Sequence, residues 1–217
     1  LSKSDSGIDP QAKVTNGPAA RGLAAWIARP TMLLPVPDSP GLRPTPDRVR
    51  ETLFNWLGQD LSGWHCLDLF AGSGALGFEA ASRGAARVLM VEQNPAIARG
   101  LAASVQQLGA GGCIEVIRAD AARWLDQRPP MLQDLILLDP PFRAGWLPRI
   151  LPAVLPWLAP HGLVYVEADH AITDDWLAQQ GCNSLAVIRA GKAGQVHYQL
   201  LTSEPCPSSS TPEPSTR

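Results

Sequence analysis

Residues 67–80 read LDLFAGSGALGFEA: the end of an apolar run, a glycine-rich turn and the start of a helical pattern. Gly72, Gly74 and Gly77 satisfy G-x-G-x-x-G, and Glu92 follows Gly72 by 20 residues at the end of the next apolar run. Glycines let the chain turn tightly and approach a ligand, and an acid at that spacing can accept from both ribose hydroxyls. The spacing alone allows a dinucleotide. Asp68 argues for another ligand, because it lies inside the strand, four residues before Gly72, where a dinucleotide fold usually carries an apolar side chain. A carboxylate there suits a cation, and S-adenosylmethionine carries an ammonium and a sulfonium with no pyrophosphate to cradle.

Around this stretch short apolar runs alternate with helical ones. HCLDLF (65–70), ARVLMVE (86–92), CIEVIRA (113–119), DLILLD (134–139) and GLVYVEA (162–168) read as strands. Helical segments of ten or so residues follow the first three; WLPRILPAVLPWL and a short helix near ITDDWLAQQ follow the last two. Near-continuous apolar strands separated by helices predict a doubly wound, mostly parallel α/β sheet covered on both faces. The end differs: NSLAVIRA, a turn at Gly191–Gly194 and QVHYQLLT predict an antiparallel hairpin at the sheet edge.

In a doubly wound sheet the ligand sits beyond the carboxyl ends of the strands. Asp68, Glu92, Asp120 and Asp139 fall at four successive strand ends. Each could singly be a helix cap, but together with the glycines they favour adenosylmethionine. Asp139 opens Asp-Pro-Pro-Phe, residues 139–142, an abrupt way to leave a buried strand. Pro140 and Pro141 cannot donate to a ladder and fix a rigid, extended exit. An exocyclic amine on a nucleobase is a poor nucleophile because its lone pair is delocalised into the ring. If the Asp139 carboxylate and the Pro140 carbonyl both accept from that amine, its lone pair can turn toward a methyl donor. Phe142 would stack on the base.

The remaining features bound the reading. A chain of 217 residues accommodates one domain, and a net charge of -2 gives no global basic signature, so any nucleic-acid contact must be local. Cys66, Cys113, Cys182 and Cys206 form no C-x-x-C pair and read as reduced thiols; the four His residues have no ligand spacing, so no metal is expected. No run approaches a membrane span and no secretory leader is evident, which predicts a cytoplasmic protein. Residues 1–20 and 204–217 have the composition of disordered tails, leaving 21–203 as the domain, with 21–60 an extension ahead of the first strand. Within it RPTPDRVRETLFNWL (43–57) predicts an amphipathic helix with Thr45 as N-cap and Pro46 at the first position. Val49, Leu53, Trp56 and Leu57 share one side, and Arg48, Glu51 and Asn55 the other.

Taken together, LRPTPDRVRETLFNWL, CLDLFAGSGALGFEA, VEQN, LLDPPF and AGQVHYQL resemble the RsmD family, bacterial methyltransferases that modify the N2 amine of a guanine in 16S ribosomal RNA. The likeness runs from about Leu34 to Leu201, and the first and fourth segments together are specific to this group among class I methyltransferases. It implies a Rossmann-like class I methyltransferase fold, a seven-stranded sheet with a reversed final strand. It also implies adenosylmethionine contacts at Asp68, Gly72, Gly74, Glu92, Asp120 and Ala121, and a catalytic motif at Asp139, Pro140, Pro141 and Phe142. The implied target is guanine 966, in the 30S subunit or its precursor. Where the family opens with R-I-I-G-G and then R-G-R, this chain reads ARGLAAWIARPTMLLPVPDS, keeping only Arg21 and Arg29 as basic residues. Arg43, Arg48, Arg50 and Arg143 are then the candidates for RNA contact. The rival readings are a DNA or protein amino-group methyltransferase, a non-catalytic module gripping a ribosome precursor, and a nicotinamide-dependent oxidoreductase.

Overall fold

The computed structural model describes residues 47–203 apart from 128, 130 and 142–144. The expected tails, Thr45, Pro46, Arg43, Phe142 and Arg143 lie outside the described residues. Helix α1 spans Asp47–Leu57 and precedes strand β1 (His65–Asp68). Then come α2 (Ala75–Ser82), β2 (Arg87–Glu92), α3 (Pro95–Gln107), β3 (Ile114–Arg118), α4 (Ala121–Leu125) and β4 (Gln133–Leu138). The chain continues through α5 (Leu147–Val154), a 3-10 turn (Leu155–Trp157), β5 (Leu158–Ala168), α6 (Asp174–Gln179), β6 (Ala186–Ala193) and β7 (Val196–Thr202).

Among the described residues seven strands form one sheet in the order β3-β2-β1-β4-β5-β7-β6. β1 pairs in parallel with both β2 and β4, so the chain starts in the middle, winds outward to β3, then crosses back to lay β4 on the other side of β1. That reversal opens a crevice between the carboxyl ends of β1 and β4, where such sheets bind ligands. Helices α1, α2 and α3 bury Leu53, Phe54, Phe78 and Leu101 against Leu135, Leu137 and Tyr165 on one face of the sheet. On the other face Trp124 of α4, Ile150 and Leu151 of α5 and Leu177 of α6 pack on Leu67, Ile136, Leu138 and Val166. The strands are therefore apolar on both sides, as their unbroken sequence runs predict.

Several expectations are revised. The hairpin turn is narrower than 191–194: β6 runs through Ala193 and only Gly194 and Gln195 turn, with Gly194 at φ +62°. The expected reversal of the final strand holds: β7 lies between β5 and β6 and runs antiparallel to both. The helix after β3 has five residues rather than ten, consistent with the Pro129-Pro130 pair just beyond it. β5 begins at Leu158 instead of 162: a register shift takes the pairing from Gln133–Leu158 to Leu135–Leu163, with His161 at φ 63° in the bulged arm. On α1 the polar stripe is exposed as expected, but Phe54 joins Val49 and Leu53 as the buried side chains, and the Arg83 guanidinium lies 4.7 Å over its ring. Cys66, Cys113 and Cys182 are free thiols.

Candidate active site

At the end of β1 the chain turns through Gly72 (φ 49°) and Gly74 (φ 79°) into α2. Gly74 is required twice over: its backbone is left-handed, and a Cβ on it would lie 2.6 Å from Leu101 Cδ2. Gly77, in the first turn of α2, has no such φ, but a Cβ there would lie 2.5 Å from Met90 Cε and 3.2 Å from Asp68 Oδ2. It lets the helix settle directly on β2 and the Asp68 carboxylate.

Two amides of the glycine motif are committed to the acids around it. Gly77 N–H donates to Asp68 Oδ2 at 3.1 Å, and Gly72 N–H donates to Glu92 Oε2 at 3.0 Å. The other Glu92 oxygen accepts from Asn94 N–H at 2.6 Å, and Gly74 N–H donates to the Ala71 carbonyl at 2.6 Å. In a dinucleotide fold such amides face a pyrophosphate; here Glu92 takes that of Gly72, Asp68 that of Gly77 and the Ala71 carbonyl that of Gly74. What the loop offers a ligand is the remaining acceptor capacity of two carboxylates, which fits a ligand rich in cationic and hydroxyl donors and repels phosphate.

Asp68 is only 2 % exposed. Burial pushes its carboxyl up to about 7; the Gly77 amide opposes this, the Glu92 charge adds to it, and the Phe70 amide opposes it. Asp68 pairs with Met90 in the β1–β2 register, so Glu92 stands two residues further along the neighbouring strand. Asp120 is the N-cap of α4 and accepts from Arg123 N–H at 3.0 Å, so there the capping role is realised; Ala121 opens that helix and is buried.

β4 ends at Leu138, and Asp139, Pro140 and Pro141 follow it out of the sheet, with Pro140 buried and Pro141 exposed. Phe70 from the β1 loop meets Trp146 edge-on, ring centroids 5.5 Å apart. The strand ends of β3, β2, β1 and β4 thus carry Asp120, Glu92, Asp68 and Asp139 in spatial order along one edge of the sheet. The described contacts of Arg50 run elsewhere, to Asp47 at 3.0 Å and Glu79 at 3.9 Å, while Arg48 is exposed on α1.

Sequence reading passed over two residues at this edge. Tyr165 and Glu167 alternate on one face of β5, are 0 % and 2 % exposed, and are joined by a 2.9 Å bond from the Tyr165 hydroxyl to Glu167 Oε1. The available signal was a fifth acid at the end of a fifth apolar run.

Fold and site together define a Rossmann-like α/β methyltransferase. The family model "Conserved hypothetical protein 95" matches residues 29–202. Ribosomal RNA small subunit methyltransferase D of Escherichia coli K12 is 43 % identical over 173 residues, 79 % of this chain and 84 % of that protein. This chain belongs to the ribosomal RNA small subunit methyltransferase D family. Among solved structures, an Escherichia coli protein provisionally named a methyltransferase aligns with TM-score 0.66 at 39 % identity, covering 76 % of this chain and 89 % of its own. A similarly provisional methylase from Haemophilus influenzae aligns with TM-score 0.63 at 34 % identity, covering 73 % and 98 %.

Proposed function

We propose that the chain transfers one methyl group from S-adenosylmethionine to the exocyclic N2 of a guanine in 16S ribosomal RNA, guanine 966, acting in the cytoplasm on the small ribosomal subunit or its precursor. The observation that carries this reading is the commitment of the Gly72 and Gly77 amides to Glu92 and Asp68, which disfavours a pyrophosphate and favours a cationic, hydroxyl-bearing cofactor. The activity for which the family's relatives are named and the Asp-Pro-Pro exit of β4 support the reaction.

In this reading Asp68 faces the cofactor's ammonium side, Gly72 and Gly74 bring the backbone close, Glu92 accepts from the ribose, and Asp120 with Ala121 borders the adenine. Bound there, adenosylmethionine supplies an electrophilic methyl on a sulfonium. The chain's work is positioning: Asp139 and the Pro140 carbonyl accept hydrogens of the target amine, Pro141 keeps that turn stiff, and Phe142 stacks on the base. Asp139 also accepts the proton the amine sheds. Arg43, Arg48, Arg50 and Arg143 contact RNA; Arg48 is the better placed of the two on α1, because Arg50 is already ion-paired.

The test is transfer of labelled methyl from adenosylmethionine to 30S subunits lacking the modification, with naked 16S RNA and duplex DNA in parallel, followed by nucleoside analysis. N2-methylguanosine in subunits alone supports the proposal. Label in DNA, or in no substrate despite cofactor binding, sinks it.

A further inference from the structure

The charges on the helices are sorted by position. Helices α3, α4 and α5 each contain a single charged residue, and in each it is an exposed arginine: Arg99, Arg123 and Arg149. β3 ends in a fourth exposed arginine, Arg118. Arginines toward the amino ends of the strands are spent within the fold: Arg83 and Arg50 pair with Glu79, Arg50 also with Asp47, and Arg87 with Glu115. Among the described residues Arg99, Arg118, Arg123 and Arg149 have no ion pair.

The four share one edge. α3, α4 and α5 follow β2, β3 and β4, so each starts at the carboxyl ends of parallel strands. β3 is the outermost strand, with α3 on one face of the sheet and α4 on the other. Arg99, Arg118 and Arg123 therefore go round the β3 corner from face to face. Trp124 of α4 packs on Trp157, just beyond α5, with ring centroids 4.4 Å apart, so α5 and Arg149 come next along that face, toward the β4 exit. Neighbouring acids do not neutralise them. Arg118 is the register partner of Glu92, whose two oxygens are taken by the Gly72 and Asn94 amides. Asp120 spends its carboxylate on the Arg123 amide, and Asp126 lies past the far end of α4. Beside Arg99, α3 exposes Ala96, Ala103 and Gln106, which neither mask the guanidinium nor repel an anion. Arg149 stands in the first turn of α5, where the helix dipole disfavours a cation, so folding does not ask for it. Beyond β5 the sign reverses: Asp169, Asp174 and Asp175 are exposed, and α6 carries no cation.

We infer that this arc is a phosphate track: Arg99, Arg118, Arg123 and Arg149 hold the sugar-phosphate backbone of the RNA that flanks the target guanine, and the acids of α6 fence it off from the far side. This rests on the RNA substrate proposed above, and it supplies the local basic surface that a net charge of -2 does not disclose. An arginine fork meets a phosphate with two parallel hydrogen bonds and stays charged at any working pH. Single cations spaced along an edge, rather than gathered in one pocket, match a chain of phosphates.

The experiment is equilibrium binding of the full chain, with S-adenosylhomocysteine present, to unmodified 30S subunits and to naked 16S RNA over a series of salt concentrations. Single-turnover methyl transfer and calorimetric cofactor affinity are measured alongside. The variants are Arg99→Gln with Arg118→Gln, Arg123→Gln with Arg149→Gln, all four together, and Arg87→Gln as the control at the opposite edge. Removing all four is expected to weaken binding to both RNAs about tenfold or more at physiological salt. The slope of log affinity against log salt should flatten by about 0.7–0.9 for each arginine removed. Each pair should give part of that loss, and the pairs carry the test if the fourfold variant does not fold. The transfer rate at saturating subunits and the cofactor affinity should stay unchanged, and Arg87→Gln should alter nothing. Wild-type affinity and salt slope in the fourfold variant overturn the inference. So does a loss on subunits with none on naked RNA, which assigns the arc to a ribosomal protein, or a loss of cofactor affinity, which assigns Arg118 and Arg123 to the adenosine. A chain that binds RNA through these arginines yet forms no N2-methylguanosine brings down the proposed function and spares this inference. An active wild type with an indifferent fourfold variant brings down this inference alone.

Discussion

On the β2–β1 side of the crevice the acids are held by backbone, Asp68 by the Gly77 amide and Glu92 by those of Gly72 and Asn94. On the β4–β5 side the anchored acid, Glu167, is held by a side chain, the Tyr165 hydroxyl. Backbone amides in a glycine turn are fixed by the fold itself, so that side suits a cofactor that must always bind in one way. A hydroxyl reaching from the same strand is a local device, and it sits on the strand next to the one that leads into Asp139, the residue proposed to meet the target amine.

If the two sides divide labour in this way, Asp139→Ala breaks the reaction and spares the cofactor. Turnover on 30S subunits should fall about a hundredfold to a thousandfold, the size seen when one aimed electrostatic partner is removed, with calorimetric cofactor affinity unchanged. Weakened cofactor binding would place Asp139 on the other side of the division.

Gly74→Ala attacks the cofactor side through its backbone. A left-handed φ of 79° and a Cβ 2.6 Å from Leu101 combine strain and overpacking, each costing about 1–3 kcal/mol. Thermal unfolding should drop by several degrees and cofactor binding should weaken in parallel. Gly191→Ala, which drives a Cβ into the Tyr198 ring, should lower stability without touching cofactor affinity. The contrast between these two glycine variants sharpens the comparison more than either alone.

Glu92→Gln keeps an acceptor for the Gly72 amide but removes the charge. Since a hydrogen bond to a charged group is worth about 1.5–3 kcal/mol, cofactor affinity should fall about tenfold to a hundredfold, with the rate at saturating cofactor little changed.

The same division explains what the sequence disclosed. A glycine demanded by φ or by a Cβ clash is a property of one position, so Gly72, Gly74 and the acids that answer them are legible from spacing, as are the apolar runs of a sheet buried on both faces. The Tyr165–Glu167 contact emerges only in the folded sheet, whose β4–β5 register includes a bulge the sequence does not announce. The place of β7 between β5 and β6 was hidden for the same reason: a hairpin signal says which strands pair, not which of them turns inward. Asp120 was legible as an acid at a strand end, yet spacing could not separate cap from ligand contact, and the structure shows the cap.

The smallest effect expected is one of pH, and it lies on the cofactor side. Burial holds the Asp68 carboxyl at about 7, above its ordinary value of 3.8. With the folded value raised, the stability contributed by this group is fully present below the ordinary value and is lost as pH rises through about 7, where a bare charge must be kept in the core. The cofactor-free chain should therefore unfold at a lower temperature at pH 8 than at pH 5.5 by an increment that Asp68→Asn abolishes. Binding runs the other way: a cationic cofactor needs the ionised carboxylate, so affinity should rise by up to about tenfold between pH 6 and pH 8, as expected for one titrating group, and Asp68→Asn should flatten that rise. A wild-type affinity indifferent to pH over this range would mean that Asp68 serves the Gly77 amide and α2, and that the cation is met by Glu92 alone.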